Sequence, residues 1–167
     1  MLVVNRRPLR PGAPARGFTL VELVFTITMV ALLATIAAPS FREFIMSQRV
    51  RNASFDFMTA LALARSEAIT RNANVDLVRT SGSWSGGWTV AADAGVTTLL
   101  NQQAMGGVSI TDSASLAKIS YGSDGRSTTA STQFTVGPAT TMAGVTPRCI
   151  SLGLGGVPSS KVGACQS

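Results

Sequence analysis

Three kinds of hydrophobic patterning follow one another along the chain. From Leu23 to Phe41 the sequence LVFTITMVALLATIAAPSF carries no charged residue. Counted from Phe18, the apolar stretch 18–41 is twenty-four residues long, and about twenty suffice for a helix to cross a bilayer. Beyond Pro39 the run breaks into a helical period. Val50, Phe57, Leu61, Ala64 and Ala68 recur at steps of 7, 4, 3 and 4, the spacing of one helix face. Arg51, Asp56, Arg65, Glu67 and Arg71 mostly fall elsewhere, and Glu67 and Arg71 form a favourable i,i+4 pair. A heptad is not sustained, so an amphipathic helix over 42–72 is expected rather than a coiled coil. Asn72 and Asn74 mark its end.

After residue 73 the period changes to two. The runs 74–79, 88–93, 108–113, 117–122, 132–137 and 148–153 are β-rich, and Gly, Ser and Asp clusters at 81–87 and 122–125 separate them. The serine- and threonine-rich stretch 127–135 reads as loop plus strand. Short strands following a long helix predict an α+β fold, with antiparallel sheets packed against a kinked N-terminal helix. Pro39 removes one backbone donor and is the expected site of the kink. Ala31, Ala34, Thr35 and Ala38 give the membrane half small positions for close helix–helix contact.

Charge alters this picture less than its total suggests. The formal charge of the 167 residues is +6, but Arg6, Arg7, Arg10 and Arg16 all precede the apolar run, and no acid accompanies them. From residue 73 onward five basic residues face four acidic ones. A high pI that comes largely from a leader is no argument for nucleic acid. Histidine is absent, which removes the commonest general base and metal ligand. Cys149 and Cys165 lie close together near the C-terminus. Behind a membrane-targeting segment they are expected to form a disulfide in an oxidising compartment, the alternative being two reduced thiols.

One residue resists the membrane reading. Glu22 stands at the mouth of the apolar run, where a charge placed at mid-bilayer would cost about 2.5–3.5 kcal/mol even on a lenient scale. A secretory signal would be shorter, and a plain anchor leaves the acid unexplained. A twin-arginine signal is suggested by Asn5-Arg6-Arg7-Pro8-Leu9, but its hydrophobic run would start too late and contain Glu22. Cleavage between Gly17 and Phe18 resolves the difficulty. The new ammonium at Phe18 lies one turn from Glu22, at i+4. The acid then occupies the first turn of a helix, where the macrodipole favours it. Its partner is that ammonium or one on a neighbouring helix.

Gly17-Phe18-Thr19-Leu20-Val21-Glu22 behind a basic leader resembles the class III signal of type IV prepilins and type II secretion pseudopilins. The resemblance implies a peptidase that cuts after Gly17 and N-methylates Phe18. It implies that Glu22 serves subunit recruitment and assembly, and that Pro39 is the helix-bending proline of many pilins. Ala62-Leu63-Ala64-Arg65-Ser66-Glu67-Ala68, Trp84-Ser85-Gly86-Gly87-Trp88 and Tyr121-Gly122-Ser123-Asp124-Gly125-Arg126 are similar to landmarks of the GspH/FimT group. That group implies a type IV pilin-like α+β fold, a long kinked N-terminal helix packed on a C-terminal antiparallel two-sheet β domain. It also implies a minor subunit at or near a filament tip, anchored once in the bacterial inner membrane with its globular domain in the periplasm. Expected partners are the prepilin peptidase, other pilins or pseudopilins, and the inner-membrane assembly platform. The divisions are a leader at 1–17, a transmembrane and filament-core helix at 18–41, an amphipathic helix at 42–72 and a β domain at 73–167.

Catalytic chemistry is not expected, nor is a cofactor or a metal. Gly153-Leu154-Gly155-Gly156-Val157-Pro158 lacks the spacing of a dinucleotide or phosphate loop and reads as a flexible terminal loop. Ser83 and Ser85 miss the nucleophile elbow. Ser159, Ser160 and Lys161 lack a positioned pocket, and Asp124 is short of a calcium loop's set of acids. Trp84 and Trp88 are expected to pack rather than to bind a ligand. The alternative function is a tip module that captures DNA or a surface. DNA contact would fall to Arg126, Arg148 and Lys161, and it would be weak, because few phosphates could be neutralised. In DNA-binding members of the FimT group this region resembles a Gly-Arg-x-Arg motif, whereas Gly153–Val157 contains no arginine.

Overall fold

The computed structural model describes residues 17–166. The expected leader therefore lies outside the described residues except for Gly17, and so does Ser167. Helix α1 (Leu20–Arg71) continues through Pro39, and the chain divides into two compact units between Ala38 and Pro39. Each unit is best described by itself.

In the N-terminal unit every described residue, 17–38, is exposed. Its threonine hydroxyls are nevertheless satisfied inside the helix. Thr26 donates to Leu23 O at 2.8 Å, Thr28 to Val24 O at 2.7 Å and Thr35 to Leu32 O at 2.7 Å. Such back-bonding satisfies the donors of these three hydroxyls within the helix.

In the second unit the rest of α1 packs on two four-stranded antiparallel sheets. The strands are β1 (Val75–Arg79), β2 (Trp88–Ala92), β3 (Thr97–Gln102), β4 (Val108–Asp112), β5 (Lys118–Tyr121), β6 (Thr132–Pro138), β7 (Arg148–Leu152) and β8 (Pro158–Val162). The first sheet runs β3-β2-β1-β5 and the second β4-β6-β7-β8. The helical face expected from the sequence is the buried one: Val50, Phe57, Leu61, Ala64 and Ala68 are at most 1% exposed. The Glu67–Arg71 pair closes at 2.8 Å. The helix stops where the asparagines stand. Asn72 takes φ +50°, its N–H reaches Ile69 O, and Ala73 N–H reaches Ala68 O, each at 3.2 Å. This is a Schellman cap with Asn in the left-handed position.

Phe57 joins the layers. Its ring meets Trp88 on the first sheet at 5.0 Å and Phe134 on the second at 4.8 Å, both edge to face. Trp84 completes the cluster at 5.4 Å from Phe57 and 5.7 Å from Phe134. Both tryptophans are buried, as packing residues should be.

Six strands match the sequence reading and two do not. β3 was not expected, and neither was β8, which starts at Pro158 where the loop expected at 153–158 ends. Both are edge strands without a buried residue, so they need not alternate apolar with polar, and β8 opens on a proline and carries a lysine. The 153–156 stretch is a tight turn. Gly156 N–H bonds Gly153 O at 3.0 Å, and Leu154 O accepts from Ser127 N–H at 3.1 Å. A side chain at Gly156, where φ is +75°, would collide with the carbonyl of Gly125. At Gly125 it would meet Ile69 Cδ1 at 2.6 Å, and Gly125 O accepts from Arg65 Nε at 2.9 Å. The 62–68 and 121–126 motifs therefore touch, and the 153–156 turn docks on their junction.

Tyr121 lies at this corner and is completely buried. Burial raises its phenol well above the ordinary value near 10, opposed in part by Arg65. The folded protein then holds this proton above pH 10 while the unfolded chain releases it. Stability is thus fully present below pH 10 and falls as pH rises further. Tyr121 is the chain's single tyrosine, so phenolate absorbance reports it alone. The expected result is no step near pH 10, with ionisation appearing only as the domain unfolds. A reversible step near pH 10 with the fold intact would contradict it.

Candidate functional site

The N-terminal segment is built from Gly17 upward. Gly17 meets nothing within 4 Å at its Cβ position, and Phe18 is 82% exposed. The helix starts at Leu20 because Thr19 caps it: Thr19 Oγ1 accepts from Glu22 N–H at 3.2 Å, and Thr19 O accepts from Leu23 N–H at 3.1 Å. Thr19-x-x-Glu22 is the spacing of a capping box. Sequence reasoning missed Thr19, although this spacing was there to be read. Glu22 lies in the first turn and is the sole acid between Gly17 and Arg42. From Leu23 to Phe41 an exposed apolar surface follows. Left in water, a helix like this would expose several large side chains per turn, each worth about 1.5–3 kcal/mol on burial. It is one helix long and apolar enough to cross a membrane.

The three cations of the DNA reading do not converge. In the β7–β8 register Arg148 faces Val162, Cys149 faces Lys161 and Ile150 faces Ser160. Side chains alternate along a strand, so Arg148 shares the core-side face with Ile150, and Lys161 points to the opposite face. Arg126 stands on the turn after β5, exposed, with its N–H on Asp124 Oδ1 at 3.0 Å.

Cys149 and Cys165 form a disulfide. It draws the C-terminal tail over the outer face of the second sheet, where Cys165 N–H bonds Thr135 Oγ1 at 3.2 Å and Gly163 N–H bonds Pro147 O at 2.8 Å. A closed loop of this length is worth about 3 kcal/mol in the chain-entropy account.

Comparison with known proteins agrees with this arrangement. The model of the family described as type II transport protein GspH matches residues 53–156, and the prokaryotic N-terminal methylation motif matches residues 13–38. No curated protein matches the sequence. Among solved structures, the type IV minor pilin FimU of Pseudomonas aeruginosa is similar in fold at TM-score 0.61 and 16% identity, covering 74% of this chain and 98% of that one. The minor pseudopilin EpsH from the type 2 secretion system of Vibrio cholerae is similar at TM-score 0.52 and 14% identity, covering 70% and 97%. One long N-terminal helix on two four-stranded antiparallel sheets is the pilin-like fold they share with it. The chain belongs to the GspH family, and with its N-terminal methylation motif it is of the minor pilin and pseudopilin kind.

Proposed function

We propose that the protein is a minor filament subunit that helps to initiate or cap a type IV pilus or a type II secretion pseudopilus. In this reading the prepilin peptidase cuts after Gly17 and N-methylates Phe18. Segment 18–41 then holds the subunit once in the inner membrane, with 73–167 in the periplasm, until the assembly platform extracts it. Glu22 pairs with an N-terminal ammonium as the subunit docks among other pilins, and Pro39 supplies a bend. The observation that carries the reading is a wholly exposed apolar helix with a single carboxylate in its capped first turn. That surface needs lipid first and neighbouring helices afterwards, and Glu22 needs a cation in both settings.

The separation of Arg148 from Lys161 on opposite sheet faces supports a scaffold over a DNA-capturing tip, since DNA contact wants cations on one face. Intact-mass measurement of membrane-extracted protein tests processing. The expected mass is that of residues 18–167 with one added methyl group. A mass retaining 1–17, or a chain starting near Ala38, would remove the pilin reading.

A further inference from the structure

Two hollows adjoin on one flank of the second unit, between the outer side of α1 and the β7–β8 edge. One is about 490 Å³ and is bounded by Arg51, Ser54, Phe55, Arg148 and Ser160. The other is about 450 Å³ and is bounded by Ala62, Arg65, Ile69, Val157 and Pro158. Met58 lines both. Their floor is apolar and open: Phe55 is 71% exposed, Ile69 50% and Val157 60%.

The charges along the groove have one sign. Arg51, Arg65 and Arg148 line it, and no Asp or Glu does among the described residues. Arg51 and Arg148 enter no ion pair there, in contrast to Arg71 and Lys118, which are paired. A carboxylate arriving between the two arginines would gain charge-assisted hydrogen bonds from their guanidinium groups.

The edge itself limits what can bind. β8 opens on Pro158, which has no N–H to offer, and it carries Lys161. Both features discourage pairing with another strand. Recognition by side chains remains, and an apolar trough flanked by charge suits a helix laid along it. The groove follows α1 from Arg51 to Ile69, about 27 Å at helical rise, which is the length of some eighteen helical residues.

We infer that this groove docks an amphipathic, acid-bearing helix of a different subunit, its carboxylates on Arg51 and Arg148 and its apolar stripe on Phe55, Met58 and Ile69. The inference rests on reading the chain as a filament subunit, but its test does not depend on filaments. The probe is a fluorescent eighteen-residue helical peptide with a Leu/Ala stripe flanked by Glu, added to the full chain in detergent micelles, with empty micelles as background. Anisotropy should show saturable binding. It should weaken at least tenfold when Gln replaces Glu in the peptide, and at least fivefold in Arg51→Gln, Arg148→Gln or Phe55→Ala. Lys161→Gln, on the other sheet face, should bind as wild type. Arg51→Glu should prefer a peptide with Lys in place of Glu. No binding above micelles, or binding indifferent to peptide charge, would overturn the inference. So would a duplex oligonucleotide competing for Arg51 and Arg148, or a self-associating chain whose dimer is lost in Arg51→Gln. Correct processing with no peptide binding would end the groove proposal and leave the filament reading standing.

Discussion

Phe57→Ala should lower the stability of the second unit by about 3–5 kcal/mol, the cost of emptying a buried phenylalanine site. The position is more exposed to loss than an average core site because its ring faces aromatic partners on both sheets and on the 84–86 turn. Edge-to-face pairs add about 0.5–1.5 kcal/mol each beyond their buried area, and no side chain beside it can swing in to fill three directions together. The chain's two tryptophans, Trp84 and Trp88, both touch this ring. Their fluorescence during urea unfolding therefore reads the cluster directly. Phe55→Ala, two residues away and 71% exposed, should stay within about 0.5 kcal/mol of wild type. A Phe57→Ala loss under about 1 kcal/mol would show that the two sheets hold together without the helix ring.

Glu22→Ala should insert and be cleaved as wild type, yet enter sheared filaments at least about tenfold less, equivalent to some 1.4 kcal/mol of lost docking energy. Thr19 complicates the reading, because its hydroxyl caps Glu22 N–H and places Glu22 at N3, the position from which an acid can close a capping box. An acid there could act only as a cap. Glu22→Gln separates the two roles, since glutamine can close the same box but carries no charge. It should fail as alanine does. Thr19→Ala removes the hydroxyl acceptor, costs about 0.5–2 kcal/mol at the helix end, and should leave incorporation far less affected. Wild-type incorporation of Glu22→Gln would assign Glu22 to capping and end its docking role.

What the sequence disclosed followed burial. Val50, Phe57 and Leu61 announced a helix face because each had to reach the same core, and β6 alternates cleanly for the same reason. β3, with TTLLNQ, and β8, with PSSKV, were silent because neither carries a buried residue, whereas the other two edge strands, β4 and β5, do and were legible. Alternation has little to report where nothing is buried. The 153–156 turn was misread for a related reason. Its order comes from Gly156 pressing on the backbone of Gly125, thirty-one residues away, and glycine spelling alone does not distinguish a docked turn from a loose one. In the candidate N-terminal site, Glu22 stands out in the sequence because its carboxylate breaks an otherwise apolar run. The groove beside β8 does not, since Arg51 and Arg148 meet only once the fold is made.

The strand order imposes a timetable on a chain that is delivered N-terminus first. β4 belongs to the second sheet, whereas β5, which follows it, returns to the first. Neither sheet is therefore one continuous stretch of sequence. The first can close once residue 121 has emerged. β4 must then wait for β6, twenty residues further on, before Val108 and Ile110 find their partners. Cys149 waits longer still, for Cys165 near the last residue. A chain stalled between these points shows an unpaired apolar strand to its surroundings, the kind of surface that aggregates or is cut. Completion of the chain is thus read out by the fold, because the second sheet and its disulfide close only after the last strand is delivered.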